Sequence, residues 1–570
     1  VIELDLPRRE KPGRLAFDTR TPAIQAWIDD LPLLDTDRTL VLVSSALDQI
    51  NSLDIPPQQR HEALELLSTP VMCISDALKK AFLGKQLPLQ ADKLRQATQV
   101  MELCNHMATG YRIVVDDAGS NNAQRPLLCT AIHRAIRYLS EVLLTNYQIY
   151  VQYPVGLWGI IHALFGLAEE LRLSTLPVTD NTLHTTTSSS IETIYKQSLL
   201  LSLACPYRLR QNEIHYVYNG LLEWATASRL NRINNTQKLG LFAVNLRTDL
   251  PPAYRGLRED LQADGNWRIL DTSEMAHRMQ QAISARAGSA TRTSGLGDAQ
   301  TMQRLMLAWG VMPKRKFNRY RQDATIRLVM GLNSIHRLSV TRTVEEDDGQ
   351  NGITETIHDH QYLQDPTFET TTRINTVMPS EKRNGTGEKA NGSPGKLLRG
   401  AYSATSSGIN PVELWKMENI SAGGFCLLWD SESASCARVG ELVAIQSREE
   451  NDRDKRQLGV VRWMKFTPEH GLELGIQLLS PGATAVWAYV CEDDPQPGPK
   501  LQAILLPEIK AINQPASLLL PSLPFRTGCK STLENQGRKE AVILTRQLEN
   551  TGTFAQYNFT AAADSNKPES

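Results

Sequence analysis

Apolar residues change their spacing once along this chain of 570 residues, and that change limits the fold more than any other feature. Before about residue 310 they recur three and four positions apart. Examples are ALELLSTPVMCISDALKKAF (63–82), RQATQVMELCNHMATGYRIV (95–114) and PLLCTAIHRAIRYLSEVLLTNYQIYV (126–151). That period lines one face of a helix. From Met312 to about 480 the apolar runs are short, β-branched and alternating. ATIRLVMGL (324–332), VELWKM (412–417), FCLLW (425–429), ELVAIQ (441–446), LGVVRWMKF (458–466) and GLELGIQLL (471–479) all predict strands.

The chain is therefore expected to be a multidomain α+β protein. Residues 1–45 hold Pro7, Pro12, Pro22 and Pro32 and predict an irregular lead-in. Residues 46–310 predict a mainly α-helical domain. Within it VGLWGIIHALFGLAEELRL (155–173) is apolar nearly all round, which suits a buried central helix. LGLFAVNLRTD (239–249) predicts a strand there. Residues 311–490 predict a small antiparallel β-barrel. The stretch 345–410, rich in Gly, Ser, Asn and Thr, is expected to be a mostly disordered insertion, because it buries too little apolar surface to offset ordering entropy. Residues 500–563 are β-rich, either a second small barrel or further strands on the first.

Composition narrows the function. Lys+Arg is 61 against Asp+Glu 62, a net charge of -1, which argues against a chain-wide binder of nucleic acid. Eight cysteines without a CxxC point to neither a disulfide framework nor a zinc site. The apolar stretch Tyr153–Leu171 is interrupted by His162, Glu169 and Glu170, short of the ~20 residues a membrane span needs. The opening VIELDLPRREKPGR has no apolar signal core, so a cytoplasmic location is expected. His358 and His360 have the spacing of two metal ligands but no third, so no metal is expected. His162 reads as a satisfied core histidine, and Trp158, Trp224 and Tyr216 as core. No nucleotide-hydrolysing, serine-hydrolase or metalloprotease motif occurs, which favours a sensor over an enzyme.

Two features carry chemistry. Between Arg304 and Arg342 there are nine Lys/Arg and one acid, Asp323, a local charge of +9 − 1 = +8. The densest part is Pro313-Lys314-Arg315-Lys316-Phe317-Asn318-Arg319-Tyr320-Arg321, just before the first predicted strand. Arginine forks match phosphate oxygens and the guanine edge. The second feature is Asn419-Ile420-Ser421-Ala422-Gly423-Gly424 between two strands. Its small polar residues and glycines let backbone N–H groups approach a ligand closely.

An RxxxR pair before a first strand, then NxSxxG after the second, resembles the PilZ domain. Arg315 and Arg319 fall on the first motif; Asn419, Ser421 and Gly424 fall on the second. GVVRW (459–463) and GLELGIQLLSP (471–481) resemble the family's later strands. The resemblance implies a small β-barrel that binds cyclic di-GMP. It implies ligand contacts from Arg315, Arg319, Asn419, Ser421, Gly423 and Gly424. Lys314, Lys316 and Arg321 would add attraction, and Arg462 is a further candidate. The implied function is a bacterial cyclic di-GMP receptor acting on a protein partner through its helical domain, in motility, biofilm or polysaccharide control. The competing reading is an interaction scaffold whose barrel no longer binds nucleotide. The motifs lie 100 residues apart here, which the 345–410 insertion accounts for.

Overall fold

The prolines of the first 45 residues mark where helices start. The computed structural model describes residues 6–13, 17–119, 122–180, 187–233, 240–257, 265–286, 299–310, 319–347, 412–447, 456–491, 498–510 and 513–562. Helix α1 (Thr21–Asp29) carries Pro22 in its first turn, where a missing N–H removes no helical bond. Helix α2 (Thr36–Ser52) follows Pro32, and its N-cap Asp35 accepts from the Arg38 N–H. The irregular lead-in expected for 1–45 is thus corrected by two helices.

Helices α3 (Pro57–Phe82), α4 (Ala91–Ala118), α5 (Arg125–Gln148), α6 (Leu157–Glu170), α7 (Ile191–Leu203) and α8 (Gln211–Trp224) build the helical core. Helix α6 buries Trp158, Ile161, His162 and Phe165. Tyr216 is a correction: α8 buries Ile214, Val217, Tyr218 and Leu221, and Tyr216 lies on the opposite face, exposed. The helical region also holds more β-structure than its periodicity suggests. A hairpin of β1 (Pro177–Asp180) and β2 (Thr187–Ser190) is pinned by the fully buried Asp180, which accepts from Arg134 and Arg137. A sheet of β3 (Arg229–Arg232), β4 (Phe242–Asn245), β5 (Ala253–Tyr254) and β6 (Trp267–Asp271) has the order β3-β6-β4-β5. Helices α9 (Ser273–Arg286) and α10 (Ala299–Gly310) follow.

The predicted strands of the first barrel are all present. They are β7 (Tyr320–Met330), β8 (Glu413–Ser421), β9 (Gly424–Trp429), β10 (Leu442–Ser447), β11 (Arg456–Thr467) and β12 (Gly471–Ser480). Their order is β10-β11-β12-β9-β8-β7, closed by β10 on β7. Alternation sends Ile326, Leu328, Trp415, Met417, Leu427 and Leu474 inward. Buried Glu413 accepts from Trp415 Nε1, Ser435 Oγ and the Cys436 N–H, which ties the β9–β10 loop to β8. Gly475 faces Trp463 across the ladder, and a Cβ there would overlap the indole.

Helix α11 (Leu332–Asp347) follows β7; residues 348–411, most of the expected insertion, lie outside the described residues. The C-terminal segment is a second closed barrel of β13 (Thr484–Cys491), β14 (Lys500–Leu506), β15 (Ser517–Pro521), β16 (Lys530–Asn535), β17 (Arg538–Asn550) and β18 (Phe554–Ala561). Its order is β13-β14-β15-β18-β17-β16. Strand β13 lies within the 311–490 range expected for the first barrel but belongs to the second. The barrels share an apolar seam of Val329, Leu442, Val460, Ile504, Leu519 and Phe554 under Ile335 of α11. The helical core meets the first barrel through backbone: Phe466 N–H donates to Tyr150 O at 2.8 Å, and Ser435 N–H to Leu87 O at 2.7 Å.

Two outcomes follow from this packing. His162 is fully buried, with Nε2 donating to Leu250 O and Nδ1 accepting from the Tyr195 hydroxyl. Burial lowers its pKa from 6.5 to about 4. The unfolded chain therefore takes up protons first as pH falls, so this contribution is complete above about 6.5 and is lost towards 4. The melting temperature should drop by several degrees across that window, and His162→Gln, which keeps both hydrogen bonds, should flatten the slope. A second outcome concerns Gly424 (φ +154), where a Cβ would lie 1.9 Å from Ile476 O on β12. Because the obstacle is backbone, Gly424→Ala should cost about 3 kcal/mol or more in chemical denaturation.

Candidate functional site

Three irregularities of the first barrel occur at one end of it, and they aim the candidate residues outward. Directly opposed residues on antiparallel strands share a face. On β8, Met417 opposes the inward Leu427, and the next pair is Asn419 with Cys426. Glu418 is the extra residue of a bulge, which turns Asn419 and Ser421 to the outer face. Strand β7 carries a second irregularity, with Arg321 opposing Asn419 and Ala324 opposing Met417, and Arg321, three positions from the inward Ala324, stays on the outer face. A third bulge on β11, between Val461 and Trp463, contains Arg462. Bulges re-aim side chains in this way beside binding sites.

The outer faces join into a polar band across five strands. It runs from Arg462 (β11) to Gln477 (β12), Gly424 (β9), Ser421 and Asn419 (β8), and then to Arg321 and the exposed Arg319 at the start of β7. Adjacent strands lie ~4.8 Å apart, so the band is about 19 Å long. Ser421 and Gly424 close a two-residue hairpin over Ala422-Gly423, with Ser421 Oγ donating to Gly424 O at 3.2 Å. Gly423 O accepts from the Leu478 N–H at 3.0 Å, which fixes the turn against β12. Cys426 lies in the floor beside Arg319, its thiol bonded to Asn419, and burial pushes it up to about 11, so it stays protonated.

Arg319, Arg321, Asn419, Ser421, Gly423 and Gly424 are therefore brought together. Lys314, Arg315 and Lys316 lie outside the described residues. Arg462 is at the far end of the band and is occupied: its Nε donates to Gln477 Oε1 at 2.7 Å, and its Nη2 to Glu549 Oε2 of β17 at 2.9 Å. Gln477 and Glu549 had no sequence signal. Only strand register shows that Gln477 opposes Gly424, and only the docking of the second barrel brings in Glu549. Among the described residues no group of three His, Cys, Asp or Glu is placed to hold a metal ion, and no helix is long and apolar enough to cross a membrane.

Comparison with known proteins covers the helical region and both barrels. The model of the Cyclic-di-GMP receptor FimW, N-terminal domain, matches residues 22–235. That of the Cyclic-di-GMP receptor FimW, middle PilZ domain, matches 241–485. The FimW C-terminal beta-barrel domain matches 488–562. The family's middle domain thus starts well before the barrel and takes in β4–β6, α9 and α10. The chain is also similar to the Cyclic-di-GMP receptor FimW of Pseudomonas aeruginosa, 28% identical, with 97% of this chain and 93% of the relative covered. No solved structure matches. With three consecutive domain models of one family in order along it, this chain belongs to the FimW family of PilZ-domain proteins.

Proposed function

We propose that this chain is a receptor for cyclic di-GMP and that the band on the first barrel is its binding surface. The observation that carries this reading is the convergence of Arg321, Asn419 and Ser421, from two strands, on one outer face, with Arg319 next to Cys426 there. The relative's name and the middle-domain family support the same ligand.

Each group has a task that its chemistry suits. Arg319 presents a fork for phosphate or a guanine edge. Asn419 and Ser421 supply short donors and acceptors beside it, and the Gly423-Gly424 turn keeps the surface low enough for close approach. Arg315, Lys314 and Lys316 precede Arg319 in the sequence that joins α10 to β7 and add positive charge to that stretch. Cys426, held protonated, makes a poor nucleophile. The role is that of a sensor without catalysis.

Ligand binding on the band biases how the helical domain and the barrel dock, through the backbone contacts at Tyr150 and Leu87. The output is a protein partner engaged by the helical domain, in control of motility, biofilm or polysaccharide. Calorimetric titration of the full chain with cyclic di-GMP, against GTP as control, tests the receptor reading. Micromolar or tighter binding is expected, with Arg319→Ala and Ser421→Ala each weakening it at least tenfold. Binding that neither variant changes places the site elsewhere, and no binding leaves the barrel as a scaffold.

A further inference from the structure

A cavity of about 710 Å³ opens where the helical domain, the first barrel and the second barrel meet. That is within the size range of small-molecule sites, roughly 300–1,000 Å³. Its apolar wall includes Leu305 and Leu307 of α10, with Phe242 and Tyr254 of the small sheet. Its charged lining is four arginines, Arg208, Arg210, Arg304 and Arg462, against one acid, Glu549.

These cations differ in how they are held. Arg210 lies between Gly440 of the first barrel and Gly552 of the second; its guanidinium fills the space that a Cβ on Gly552 would need and would lie 3.3 Å from one on Gly440. Arg304 donates to Glu213 at 2.7 Å, and Arg462 is paired with Glu549. Arg208 is exposed and makes no side-chain hydrogen bond or ion pair to a described residue. A positive lining with flat aromatic walls suits an anion that carries planar rings.

The cavity is continuous with the band. Arg462 and Gln477 line it, and Gln477 opposes Gly424 on the ladder. Helix α10 forms part of its wall and leads directly into the segment that carries Arg315. We propose that this cavity is the inner half of the nucleotide site. Cyclic di-GMP bound on the band extends past Gln477 into it. An anionic oxygen of the ligand takes Arg462 from Glu549, Arg208 adds a second cationic contact, and Tyr254 provides a face for a guanine. The inference rests on the receptor reading above and adds a contribution from all three bodies to the site.

The test is titration of the full chain with cyclic di-GMP, using variants that alter the cavity and leave the band intact. Leu307 is 59% exposed, so Leu307→Trp fills the cavity without entering the core. Arg208→Glu reverses the unpaired charge, and Arg95→Glu on the exposed surface of α4 controls for net charge. Thermal melts confirm that each variant is folded. Leu307→Trp and Arg208→Glu should each weaken binding about tenfold or more, Arg95→Glu should leave it unchanged, and Glu549→Gln should tighten it several-fold. Wild-type affinity in both cavity variants, while Ser421→Ala still weakens binding, would overturn the inference and leave the receptor reading standing. A wild-type chain that binds no cyclic di-GMP overturns both.

Discussion

The close approach of β9 to β12 at Gly424 sets the geometry on which the rest of the surface depends. At that point the backbone of residue 424 lies so near Ile476 O that no side chain fits between them. The contact lets the hairpin turn after two residues and lets Gly423 O accept from Leu478. It also fixes the register in which Gln477 opposes Gly424 and Ile476 opposes Phe425. From that register Arg462 falls beside Gln477, and Asn419 beside Cys426. The glycine of the NxSxxG pattern is thus a condition for the shape of the site, as well as a gap through which a ligand approaches.

Strands β7 and β8 of the first barrel were legible because part of each alternates between a wet and a dry face. Trp415 and Met417 alternate with exposed residues, and so do Ile326 and Leu328. The second barrel was half legible. Strands β14, β15, β17 and β18 stand out as apolar runs, whereas β16 (KSTLEN) buries little more than Ser531 and Leu533 and carries almost no hydrophobic signal. The β1–β2 hairpin escaped for a different reason. It is held by Asp180 on two arginines of α5, an interaction between residues more than forty positions apart. Tyr216 was read as core because it is aromatic, but helix geometry places it away from Ile214 and Val217.

The site was legible in its residues and not in their directions. Strict alternation from Met417 would send Asn419 and Ser421 into the core. The bulge at Glu418 reverses that and sets Asn419 opposite the outward Arg321. A bulge inserts one residue into a ladder and leaves no mark on composition, so the spacing of a motif cannot reveal it. The number of residues between Arg321 and Asn419 does not keep these two apart. Strand pairing of Tyr320 with Ile420 decides their proximity, whatever the number of residues between them.

Arginines line the junction of the three bodies. Arg462 joins the first barrel to Glu549 of the second, Arg304 joins α10 to Glu213 of α8, and Arg210 wedges between two glycines of different barrels. Each contact crosses a boundary between elements, so a change in the charge balance there changes packing as well as affinity. A phosphate that takes Arg462 leaves Glu549 without its partner and loosens one tie between the barrels. The apolar seam under α11 does not depend on that charge and holds the barrels together. On the proposed reading the response falls on the polar side of the junction, where α10 lies. A ligand shifts such an equilibrium only by the difference in its affinity for the two arrangements. Here that difference has a physical source, since the anion is favoured only where Arg462 is released from the carboxylate.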